Sequence, residues 1–134
     1  MIHILVVDDH PAVREGRKAI LEAEPGIQVD CLDPPYTVEA INNIDLSPFD
    51  VILMDLNLGD INGMEISKTI IHKNHSCKII LYTGYDVWDY FDEAIRIGIH
   101  GAVSKTESKK KLLTYIHHAI EGDIVVPYQY FKNL

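Results

Sequence analysis

Short apolar runs recur along the chain: IHILVV at 2–7, IQVDCL at 27–32, VILM at 51–54, IILY at 79–82 and GAVS at 101–104. Longer stretches with helical spacing separate them, and this beat predicts a βα unit repeated five times. The first, third and fourth runs hold four apolar residues in succession, as strands do in a parallel sheet covered on both faces. The second alternates Ile27, Val29 and Cys31 with Gln28 and Asp30, the pattern of a half-exposed edge. The fifth is short and suits the opposite edge.

Pro11 fits the first turn of a helix that runs toward EPG at 24–26, with Val13, Gly16 and Ile20 sharing its face. Further helices are expected at about 36–44, 63–73, 86–97 and 108–121. Val87, Phe91, Ala94 and Ile95 form one apolar stripe, and Leu112, Ile116, Ala119 and Ile120 another. Both stripes read as core, and Trp88 with its neighbouring tyrosines as packing or surface residues rather than a cofactor box.

The length of 134 residues suits one domain. Twelve basic against twenty acidic residues leave a net charge of −8, which lacks the electrostatic footprint of a nucleic-acid binder. The apolar runs are too short to span a bilayer and the first ten residues carry two aspartates, unlike a signal peptide, so a cytoplasmic location is expected. Cys31 and Cys77 are too few for a disulfide framework and read as buried free thiols. His72 with His75, and the adjacent His117 and His118, read as surface residues, since adjacent helix positions face apart.

The polar residues that follow the runs carry the chemistry. Asp8 and Asp9 follow the first, Asp55 the third, Thr83 the fourth and Lys105 the fifth. In a doubly wound sheet, ligands bind outside the carboxyl ends of the strands. Singly, Asp8 or Asp9 reads as a helix cap, Asp55 as a turn residue, Thr83 as a loop hydroxyl and Lys105 as a solvated charge. Their convergence at four strand ends favours a site. Three neighbouring carboxylates repel unless a cation joins them, and an all-oxygen set suits Mg²⁺ better than zinc. Asn57 is placed to add its backbone carbonyl. With Lys105 and Thr83 facing the same carboxylate, Asp55 could act as a nucleophile toward phosphorus.

The acidic pair in VVDDHP, the acceptor in LMDLNL, Gly63 eight residues beyond it, YTG at 82–84 and SKT at 104–106 together resemble the receiver domain of two-component response regulators. Thr83 and Lys105 lie twenty-two positions apart, the spacing typical of that family. DDHPAVREG further resembles the NarL/FixJ branch. The resemblance implies a flavodoxin-like (βα)5 doubly wound parallel sheet of strand order 2-1-3-4-5 over residues 1–122. It also implies that Asp55 accepts a phosphoryl group from a phosphohistidine on a sensor histidine kinase. Asp9, Asp55 and the Asn57 carbonyl would hold Mg²⁺, with Asp8 contributing directly or through water. Lys105 would bind the phosphoryl oxygens and Thr83 would move toward them.

Phosphorylation is then expected to promote homodimerisation, with self-phosphorylation and slow dephosphorylation as the only activities. Residues 123–134, DIVVPYQYFKNL, form a tail too apolar for a free linker, expected to fold back or onto a second copy. Members of this branch continue into a helix-turn-helix domain, so the chain is expected to be a truncated regulator that meets DNA only through that absent part. Two departures stand out: Gly59 replaces a common proline, which is expected to loosen the loop, and Ala102 replaces an aromatic that relays the movement of Thr83. Two other functions compete. A phosphoaspartate hydrolase would need a general acid where Asn57 stands, and a phosphate-independent interaction module would keep the acidic pocket as a static scaffold.

Overall fold

The computed structural model of the chain describes residues 1–74, 76–84 and 88–125, Trp88 by its backbone alone. Five strands, β1 (Ile2–Val7), β2 (Ile27–Cys31), β3 (Val51–Met54), β4 (Lys78–Thr83) and β5 (Ala102–Ser104), alternate with five helices. These are α1 (Pro11–Glu22), α2 (Val38–Asn42), α3 (Gly63–Lys73), α4 (Trp88–Ile97) and α5 (Lys109–Ile120). All strand pairs are parallel and the sheet order is β2-β1-β3-β4-β5. The expected flavodoxin-like topology is therefore the observed one.

Strand parity sorts the core into two layers. Leu5, Val7, Ile52, Met54, Ile79 and Leu81 pack with Ile66, Ile70, Phe91 and Ala94 from α3 and α4. Ile4, Val6, Val51, Leu53, Ile80 and Tyr82 face Leu21 of α1 and Leu112, Tyr115, Ile116 and Ala119 of α5. Every side chain of β3 is buried, because helices cover both faces of this central strand. The stripes read for α4 and α5 hold, apart from Val87, which lies outside the described residues, as do His75, expected at the surface, and residues 126–134 of the apolar tail.

Two expectations change. The inward face of α1 is not Val13, Gly16 and Ile20, for Ile20 is 39% exposed. That face carries Arg14, Arg17 and Leu21, with both arginines partly buried. Helix α2 is also shorter than 36–44, because Tyr36 turns into the core and Thr37 caps the helix by accepting from Ala40 N.

Chain direction reverses around β1: the chain crosses to β2 on one side and then to β3 on the other. In register, Val7 lies opposite Met54, and Met54 opposite Leu81. The residues just past these positions share one edge, where a doubly wound sheet opens its crevice.

Candidate functional site

Asp55 N donates to Val7 O at 2.9 Å, which is the last rung between β1 and β3. That rung sets Asp8 and Asp55 side by side, 1% and 3% exposed. On the far side, Lys105 N donates to Thr83 O at 2.8 Å and so turns Lys105 back over the edge. Its Nζ lies 2.7 Å from Asp8 Oδ2 and 3.0 Å from Asp55 Oδ2. One ammonium thus bridges two buried carboxylates, as the low local dielectric demands.

Asp9 is partly exposed beside them, and His10 Nδ1 stands 2.9 Å from Asp9 Oδ1 and 3.0 Å from Asp8 Oδ1. Thr83, 1% exposed, closes β4 at the same edge, opposite Ser104. Asn57 N donates to Asp55 Oδ1 at 3.4 Å, keeping that residue against the acceptor. The structure therefore gathers Asp8, Asp9, Asp55, Asn57, Thr83 and Lys105 at one edge.

Charge is unevenly shared. Burial pushes the Asp8 carboxyl up, but the Lys105 ammonium and the His10 backbone N–H and ring outweigh it and hold the group below its ordinary value. At Asp55, burial wins over Lys105, and the Asp8 charge adds to it, so the carboxyl sits above its ordinary value. Burial lowers Lys105, yet its two carboxylate partners more than offset this and keep the ammonium charged. The two buried carboxylates are thus shifted in opposite directions, Asp8 down and Asp55 up.

Among the described residues, Asp8, Asp9, His10 and Asp55 each offer a ligand atom within 4.8 Å of the others. Asp8 Oδ2 and Asp9 Oδ1 are buried without an aligned hydrogen bond. Asp8 Oδ2 nonetheless lies 2.7 Å from the Lys105 ammonium, and Asp9 Oδ1 lies 2.9 Å from His10 Nδ1. Three crowded carboxylates, an all-oxygen set, fit a hard divalent cation.

The loop after Asp55 corrects one expectation. Gly59 has φ +80°, which proline cannot adopt. Asn57 Oδ1 accepts from Gly59 N, Leu58 N donates to Ile61 O, and Asn57 pairs with Asn62, which caps α3. The loop lacks proline because its turn is built differently, and its own hydrogen bonds close it. Ala102 is buried in β5, and Tyr82, one residue before Thr83, is buried on the neighbouring strand. Residue patterning did not single out Arg14, Arg17, Tyr36 or Tyr82, although placing positions 14, 17 and 21 on one helix face would have turned both arginines toward the sheet.

The family described as the response regulator receiver domain matches residues 4–117. The transcriptional regulatory protein ComA of Bacillus subtilis (strain 168) is 58% identical over 135 residues, covering 100% of this chain and 63% of ComA. The chain thus spans about three fifths of the length of the curated relatives it matches. A LuxR-family two-component response regulator from Aurantimonas sp. SI85-9A1 superposes with a TM-score of 0.83 at 26% identity, over 97% of this chain and 92% of that one. The response regulator TrrA of Thermotoga maritima, solved in complex with Mg(2+)-BeF, gives 0.73 at 28% identity, over 89% and 99%. With its sheet order and its acidic edge already in place, the chain belongs to the response regulator receiver domain family.

Proposed function

We propose that this receiver domain is a phosphorylation-dependent switch in which Asp55 takes the phosphoryl group of a phosphohistidine on a sensor histidine kinase. The observation that carries the reading is the Lys105 ammonium held 3.0 Å from Asp55 Oδ2 at the carboxyl end of β3. A carboxylate oxygen of Asp55 attacks phosphorus, the phosphorus–nitrogen bond of the donor breaks, and its electron pair returns to the donor imidazole. Lys105 would neutralise the transferring oxygens, and Thr83, which closes β4 at the same edge, would donate its hydroxyl to them.

Asp8, Asp9, Asp55 and the Asn57 carbonyl would hold Mg²⁺, which supplies charge neutralisation on the phosphoryl oxygens when bound. The Mg(2+)-BeF bound to TrrA supports this assignment. Phosphorylation would shift a conformational balance toward a dimer. Transcription would follow through a DNA-binding output domain of the kind the ComA relationship suggests.

Intact-mass measurement after incubation with acetyl phosphate and Mg²⁺ tests the reading. The parent chain should gain one phosphoryl group, and Asp55→Asn should gain none. No gain in the parent, or an equal gain in the variant, overturns the assignment.

A further inference from the structure

We infer that Arg14 and Arg17, with Tyr36 and Tyr82, are positioning residues that fix the backbone behind Asp8 and behind Lys105, so that one face of α1 aligns both members of the ion pair facing Asp55. The inference rests on the reading of Asp55 as phosphoacceptor.

The Asp8 carbonyl lies one residue past the rung of Val7 O with Asp55 N, and the Lys105 carbonyl belongs to the residue whose N–H makes the rung with Thr83 O. Each is taken up by an arginine of α1 and a buried tyrosine. Arg14 Nη1 donates to Asp8 O at 2.6 Å and to the Tyr36 hydroxyl at 2.9 Å. That hydroxyl lies 2.8 Å from both Asp8 O and Leu32 O, so it ties the end of β1 to the segment after β2. Three positions further along α1, Arg17 Nη2 donates to Lys105 O at 3.1 Å. The Tyr82 hydroxyl approaches the same oxygen at 3.4 Å, and the Arg17 guanidinium lies over the Tyr82 ring, 4.9 Å from its centroid.

Arginine serves here because its planar fork can donate to two acceptors or stack while donating, and its charge is permanent. Spacing of three puts both side chains on one helix face. The two carbonyls so held belong to the residues whose side chains meet at 2.7 Å. A shift of either backbone by a few tenths of an ångström would be passed to that contact, which is the geometry Asp55 depends on. On this reading there are two clamps, one behind Asp8 on the proposed metal side and one behind Lys105 on the proposed phosphoryl side.

Their separation is the test. In the full chain, Mg²⁺ affinity is measured by calorimetric titration, and the acetyl phosphate phosphorylation rate is measured at saturating Mg²⁺. Arg14→Ala and Tyr36→Phe should weaken Mg²⁺ binding about tenfold and slow the saturated rate less. Arg17→Ala should slow the saturated rate about tenfold and change Mg²⁺ affinity less, with Arg17→Lys, which keeps a donor, recovering part of the rate. Tyr82→Phe, the removal of one oxygen, should follow Arg17→Ala more weakly and keeps the question open to measurement if an arginine variant does not fold. Affinity and rate falling together in step with the melting temperature would mean a merely structural role and overturn the inference. So would variants equal to the parent. A parent chain that takes no phosphoryl group defeats the underlying reading instead, and that result is visible before any variant is made.

Discussion

Gly63 shows how much a single hydrogen can decide. Its N–H donates to Leu56 O at 2.6 Å, and a Cβ built on it would stand 2.0 Å from the Asp55 carbonyl oxygen and 2.9 Å from its carbon. The first residue of α3 therefore rests directly on the peptide of Asp55. Gly63→Ala must push α3 off β3 or rotate that peptide, and should cost about 3 kcal/mol, read as a lower urea midpoint. An unchanged midpoint would show that the approach is slack. At this scale the sequence was legible where a candidate site residue directly follows a buried apolar run, as Asp8, Asp55, Thr83 and Lys105 do. It was silent about Arg14, Arg17, Tyr36 and Tyr82. These donate to backbone carbonyls outside their own elements, and hydropathy counts an arginine as outward whichever way its stem lies.

Elements were legible in proportion to how fully they are buried. Strands β1, β3 and β4 stand out because both faces are covered, whereas α2 is one and a half turns long and cannot hold itself by propensity. Its support comes from α3. Lys73 Nζ donates to Ile41 O and Asn42 O at 3.0 Å each, and also to Ile44 O, so a cation satisfies the carbonyls at the C-terminal end of α2. Nothing in residues 38–42 announces a partner thirty positions away. Lys73→Met keeps the stem and removes the donors. It should cost about 1 kcal/mol and speed amide hydrogen exchange in α2 more than in α3. Equal exchange in the two helices, or none gained, would mean that the ammonium is idle.

At the scale of the whole molecule, folding gathers three carboxylates at one sheet edge of a chain that already carries a net charge of −8. In the unfolded chain Asp55 lies far from Asp8 and Asp9 in sequence and barely interacts with them; in the fold the three repel across a few ångströms, and the Lys105 ammonium relieves part of that repulsion. A divalent cation that binds only the folded arrangement must then stabilise the protein by mass action. At a hundredfold excess over its dissociation constant the gain is about 2.7 kcal/mol, or roughly 10 °C in melting temperature for a domain of this size. The effect has a competitor, because any salt screens the general repulsion of a chain this acidic. Melting in MgCl₂ must therefore be compared with NaCl at equal ionic strength, and with Asp9→Asn, which removes a ligand from the more open side of the pocket while leaving the Lys105 bridge intact. Site binding requires that MgCl₂ exceed NaCl in the parent and that most of the excess vanish in the variant. If the two salts raise the melting temperature equally, the cation is acting on the net charge and the acidic edge holds no metal.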